Sequence, residues 1–166
     1  EKRIDLVLES FNNLVQSGIK AKLKLIGDGP LKKEIQNQIQ KLGISDLVEL
    51  PGYLSQKRII DELHNSHFLV LPSDIETFGM VLVEAQACGL PVVATDCGGP
   101  KDIITAESGI LVTPGSVSEL AEGMKKLISS FAKFDPSEIR NSVIQKFGQK
   151  SYAESIINIT ANLIKS

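Results

Sequence analysis

Cysteine is scarce: only Cys88 and Cys97 occur among the 166 residues. Two thiols make neither a disulfide framework nor a zinc site. Cys88 sits in an apolar segment and reads as small core filling, and both fit a reducing compartment. Charge excess is also missing. Eighteen Lys and Arg against 20 Asp and Glu leave a formal net charge of −2, and no long basic run appears, which argues against a general nucleic-acid binder. Long apolar runs are absent as well. Stretches such as Met80-Val81-Leu82-Val83 fall far short of the roughly 20 residues a membrane span needs. No basic stretch followed by an apolar one opens the chain. With 42% hydrophobic residues the composition is that of a globular protein rather than a disordered one. The length suits one domain over residues 1–166, large enough to bury about 68–70% of its unfolded surface without a staple.

What is present alternates between two patterns. Leu23–Ile26, Leu47–Leu50, Phe68–Leu71, Pro91–Thr95 and Ile110–Val112 are short apolar runs bounded by Gly, Pro, Asp or Ser. Such continuous runs predict strands covered on both faces, as in a parallel sheet. Between them the apolar spacing is helical: Ile4, Val7, Leu8, Phe11, Leu14 and Val15; Leu31, Ile35, Ile39 and Leu42; Val117, Leu120, Ala121, Met124, Leu127, Ile128 and Phe131. Pro30 suits a first helical turn, Ser116-x-x-Glu119 has capping-box spacing, and Asp135-Pro136 reads as a cap followed by a first-turn proline. Strands recur about every 20–25 residues, the length of a βα unit. The sum predicts an open, doubly wound α/β sheet, Rossmann-like in kind. The chain opens directly on a helix, so the strand that would feed it is expected to be missing, and Glu1 in place of Met suggests a piece cut from a longer protein. After about residue 113 only helices are expected, the last near 149–164 with Tyr152, Ile156, Ile159 and Leu163 on one stripe.

In open α/β sheets ligands sit beyond the carboxyl ends of the strands. Of the loops there, Pro72–Gly79 is the most informative: it is long and acidic, and it runs into the apolar helix Met80–Cys88. Gly79 falls at the expected helix start, where free N–H groups and the helix dipole favour an anion and a missing Cβ allows close approach. Glu84 is the one carboxylate inside that helix, and Glu76 precedes it by eight residues. Carboxylates accept hydrogen bonds from sugar hydroxyls while the helix end takes the charge, so the arrangement suits a polyol phosphate. Glu84 equally fits a solvated helix edge, and Glu76 an ordinary loop acid. Gly27-Asp28-Gly29-Pro30 reads as strand exit and cap. Gly98-Gly99-Pro100 is a tight turn opening a short helix, for packing or for ligand contact. Tyr53 after Gly52 is a shelf for a base or a packing residue. His64 and His67, and pairs such as Lys32-Lys33, read as structural or solvated.

The stretch Glu76–Thr95, ETFGMVLVEAQACGLPVVAT, preceded by Leu71-Pro72-Ser73, resembles the donor-binding half of the group 1 glycosyltransferases (glycosyltransferase family 4, retaining, GT-B fold). That family's mark is E-x-F-G-x-x-x-x-E-A-x-A-x-G-x-P-V-V-A, and Glu76, Phe78, Gly79, Glu84, Gly89 and Pro91 match it. Gly27–Pro30, Gly52, and Gly98-Gly99-Pro100 followed by Asp102 are lesser marks. The resemblance covers essentially the whole chain. It implies that Glu84 binds the nucleotide ribose, that Glu76 contacts the transferred sugar, and that backbone around Gly79, Met80 and Val81 meets the diphosphate or sugar. It places the Tyr53-Leu54 loop and Gly27 in the donor site as well. A basic pair holds the diphosphate in the family. Lys2 matches its Lys, but Arg3 stands where the family often has Gly, and the partner Arg would lie upstream of Glu1. Glu76 and Lys2 are therefore the expected catalytic pair.

The same resemblance implies a C-terminal donor domain whose helices over 135–166 would cross to an absent N-terminal, acceptor-binding domain. Its reaction would transfer a sugar from a UDP- or GDP-sugar to an acceptor hydroxyl with retention, in glycan or polysaccharide synthesis. The fragment alone would be inactive. No Asp-x-Asp pair lies in the motif loop, so neither a cofactor nor an essential metal is expected. A lipid-linked or polysaccharide acceptor would put the full enzyme in the cytoplasm or at the inner membrane face. Three other readings are weaker. A sugar-nucleotide epimerase of GT-B fold would lack the Phe78-Gly79 turn pattern. A flavodoxin-like receiver would need an acidic pair beside Asp74 or Asp96. A degenerate binding module sits poorly with both Glu residues being present.

Overall fold

A computed structural model describes residues 2–148. The helical stripe at the start becomes α1 (Ile4–Gln16), which buries Leu6, Val7, Leu8, Phe11 and Leu14. There follow β1 (Leu23–Ile26), α2 (Lys32–Leu42), β2 (Val48–Gly52), α3 (Gln56–His64), β3 (Leu69–Leu71), α4 (Met80–Ala87), β4 (Val92–Thr95), α5 (Pro100–Ile103), β5 (Gly109–Val112), α6 (Val117–Ser129) and α7 (Pro136–Phe147), with 3₁₀ turns at Ser45–Leu47 and Phe131–Lys133. Every expected strand is present to within two residues. Two helix ends differ by more than one residue. α2 begins at Lys32, because Pro30 and Leu31 form a turn in which the Lys32 N–H donates to Gly29 C=O. α6 stops at Ser129, and Phe131 leaves the stripe to lie in the 3₁₀ turn, edge-on to His67 at 5.7 Å. The stripe from Tyr152 to Leu163 lies outside the described residues.

All pairings are parallel, but among the described residues they fall into two pieces, β1-β2 and β3-β4-β5, rather than one continuous sheet. The expectation of strands covered on both faces holds for β4 but not for β1 and β2, where half-buried residues alternate with the exposed Lys24, Ile26, Glu49 and Pro51; short apolar runs say neither which faces are covered nor which strand lies beside which. The double winding itself is borne out by alternation along β4. Val93 faces a core built with Leu8, Phe11, Leu120, Met124 and Leu127 of α1 and α6, whereas Val92 and Ala94 face Leu82, Ala85 and Ile103 of α4 and α5. Successive side chains of a strand point to opposite faces, so β4, buried at all four positions, is covered by helices on both sides. The first core also takes in Leu23 and Leu25 of β1 and Val48 and Leu50 of β2, which joins the two sheet pieces through one apolar layer.

Caps follow the sequence. Ser116 Oγ accepts from the Glu119 N–H at 3.2 Å. The Glu119 carboxylate turns to the Thr113 N–H, at 3.0 Å, instead of closing the box on Ser116. Asp135 accepts from the N–H groups of Ser137 and Glu138. No described helix is long and apolar enough to cross a membrane.

Candidate functional site

The β3–α4 loop is built from below. Gly98 and Gly99, after β4, lie against it. The Gly99 N–H donates to Glu76 C=O at 2.7 Å, and the Glu76 N–H to Cys97 C=O at 3.4 Å. A Cβ on Gly99 would stand 2.3 Å from the Phe78 carbonyl oxygen, and one on Gly98, whose φ is 125°, 2.8 Å from that of Glu76. The glycines therefore let two loops touch backbone to backbone, which assigns this turn to packing that seats Glu76. Above the same loop lies the start of α1. Lys2 Nζ meets Glu76 Oε2 at 2.6 Å, and Arg3 holds Asp74 and Asp5 with a fork of hydrogen bonds. Arg3 has φ 45°, the only positive value at a described residue other than glycine. A left-handed Arg costs about 1–2 kcal/mol, and two carboxylates on one guanidinium offset it.

Gly79 occupies the cap position of α4 with φ 101°, and no side chain caps that helix. Its first turn therefore offers free N–H groups. The Glu76 carboxylate is drawn to this end. Lys2 first, and the backbone amides of Phe78 and Gly79 after it, hold its pKa below the usual Glu range against the opposing effect of burial. Only 16% of the Glu76 side chain is exposed, against 61% for Lys2. Met80 and Glu84 are both exposed on α4. They stand four residues apart on one face, roughly 6 Å along the axis. Glu84 has no hydrogen-bond or ion-pair partner among the described residues, so it is solvated here rather than buried. Val81 is half-buried. Phe78 is exposed on one side and rests edge-on against Phe147 of α7 at 5.5 Å.

The first two loops meet through the Gly27 N–H, which donates to Gly52 C=O at 2.9 Å. Tyr53 follows Gly52 and is 83% exposed, with its ring free for stacking, whereas Leu54 is buried and cannot offer its side chain to a ligand. Lys2, Glu76, Phe78 and Gly79 thus come together where α1 meets the β3–α4 loop, with Met80 and Glu84 leading away along α4; Gly27 and Tyr53 follow β1 and β2, in the other sheet piece. Sequence reading missed Asp74 and the bracing role of Arg3, which need α1 and the loop to be neighbours in space. It also missed Ser73, which is fully buried and whose hydroxyl has no partner among the described residues. No group of three or more His, Cys, Asp and Glu side chains able to hold a metal ion occurs among the described residues.

Comparison with known proteins gives the family of the chain as a whole. Residues 1–146 match the family described as glycosyl transferases group 1. The chain belongs to that family. One relative is the 2-deoxystreptamine N-acetyl-D-glucosaminyltransferase of Niallia circulans, 34% identical over 124 residues, which are 73% of this chain and 32% of that protein. Among solved structures, the lipopolysaccharide outer core galactosyltransferase WaaB superposes with a TM-score of 0.84 at 26% identity, over 98% of this chain and 45% of that one. Anabaena HepE, solved in complex with UDP-glucose, does so with a TM-score of 0.79 at 27% identity, over 95% and 45%. This group 1 glycosyltransferase chain therefore spans about a third of the first curated relative and under half of each structural one.

Proposed function

We propose that the chain is the donor-binding half of a retaining glycosyltransferase, which moves a sugar from a UDP- or GDP-sugar to an acceptor hydroxyl. The observation that carries this reading is the convergence of a cation, a carboxylate and an uncapped helix start at Lys2, Glu76 and Gly79. The barrier of such a transfer is charge: a diphosphate departs as an oxocarbenium-like sugar forms. Lys2 and the amides at the start of α4 stabilise the leaving phosphates. Glu76 orients the sugar through its hydroxyls. Glu84 takes the ribose hydroxyls and Tyr53 stacks on the base, while Gly27, the Leu54 backbone and the Phe78–Val81 segment shape the cleft around them. This reading assigns the diphosphate charge to the protein rather than to a metal ion. The acceptor, glycan or lipid-linked, binds a further domain, and the enzyme works in the cytoplasm or at the inner face of the membrane.

Saturation-transfer NMR on this chain with UDP, GDP and ADP together tests the reading. One nucleotide is expected to give signal. Glu84→Gln is expected to weaken it through lost ribose hydrogen bonds worth on the order of 1–3 kcal/mol. Unchanged affinity in that variant removes Glu84 from the ribose.

A further inference from the structure

The Glu76 carboxylate does not stand open to solvent awaiting a sugar. It is paired with Lys2 at 2.6 Å, largely covered, and locked by its own backbone to Cys97 and Gly99. The backbone amides of Phe78 and Gly79, just ahead of α4, turn to the same carboxylate. These are the partners that an incoming phosphate would need. We propose that Glu76 is the resident anion of the donor site: its carboxylate occupies the phosphate position in the free protein and is displaced when the nucleotide diphosphate arrives.

The proposal rests on the donor-site reading above and adds a sequence of events to it. A diphosphate carries more charge than a carboxylate and takes more donors at once, so it outcompetes Glu76 for Lys2 and the amides. Two anions cannot share one ammonium without repulsion. Glu76 is then released from Lys2, and its side chain becomes free to accept hydrogen bonds from hydroxyl groups. Phosphate binding thereby frees the group that holds the sugar. Asp74, two residues earlier, is held apart by Arg3 at 3.0 Å, which leaves Lys2 to Glu76.

Isothermal titration of this chain with UDP and with inorganic pyrophosphate separates the possibilities. Neither probe carries a sugar, so neither gains from Glu76. Glu76→Gln keeps the shape and removes the competing charge. It is expected to bind both probes about three- to fivefold more tightly than the natural chain, the size of one partly screened ion pair. Glu76→Asp, one methylene shorter, loses the contact with Lys2 and tightens binding by less; it serves if the Gln variant melts early. The gain is expected to shrink in a Lys2→Ala background. Equal or weaker binding by both Glu76 variants overturns the proposal while leaving the donor site standing. Binding of UDP to none of the forms overturns the donor-site reading and this one with it.

Discussion

At Gly99 the space for a side chain is already taken. An added Cβ would meet three backbone atoms of Phe78, the nearest at 2.3 Å, and backbone cannot swing aside as the end of a side chain can. Gly99→Ala is therefore expected to lower stability by about 1–3 kcal/mol, the range of overpacking. It also pushes the loop that carries Glu76 off its seat, so nucleotide signal should fall with the denaturation midpoint. A midpoint equal to that of the natural chain would mean the two loops are free to part. The candidate turn could be picked out from residue types, since a glycine ahead of an apolar helix and two carboxylates eight apart have their own chemistry. Arg3, Asp74 and the role of Gly98-Gly99 were not, because each acts on a loop distant in sequence. The exposure of Glu84 and the burial of Leu54 were undecided for a like reason: which side of α4 or of the β2–α3 loop meets solvent depends on neighbours, not on local pattern.

At the scale of elements, α7 shows how a peripheral helix is tied to the site. Its first turn packs so closely on Gly89 that a Cβ there would lie 2.9 Å from Pro136. Its last turn brings Phe147 to Phe78 and lets Lys146 donate to Asp102 C=O. Asp135 satisfies two N–H groups at its start, at 2.7 and 3.0 Å. Asp135→Ala is expected to cost about 1 kcal/mol, read as a lower urea midpoint with unchanged slope. Nucleotide binding should stay as it was, since the cap lies at the end of α7 away from Phe78. Loss of nucleotide binding would show that α7 positions the donor loop as a whole. The start of α7 and the strands could be read in advance because caps and β-branched runs are local signals. The four-residue α5 likewise opens at the Gly98-Gly99-Pro100 turn, but the early end of α6 depends on what packs beside it.

For the whole molecule the acid side of the stability curve follows from its carboxylates. Arg3 holds Asp5 below its usual range, and Lys2 does the same to Glu76. A carboxylate depressed by folding stabilises the native state above its ordinary pKa, about 3.9 for Asp and 4.3 for Glu. That contribution is lost as pH falls through the lower, folded value, because the native pair must be broken by protonation while the unfolded chain has already taken up its proton. The ion pairs are partly exposed, so salt and solvent weaken them and the total effect is modest. Both pairs, with Arg3–Asp74, lie at one junction, where α1 meets the β3–α4 loop. Acid should therefore loosen the candidate site before it unfolds the core around β4, which is held by apolar burial that does not titrate. Urea midpoints are expected to be flat from pH 7 to about 5 and to fall below that. In the Asp5→Asn, Glu76→Gln double variant the midpoint at pH 7 should be lower and the acid slope shallower, so that the two curves converge near pH 3. Parallel curves would place the acid sensitivity elsewhere, at carboxylates such as Glu107 and Glu119, whose pKa values are also lowered by local hydrogen bonds.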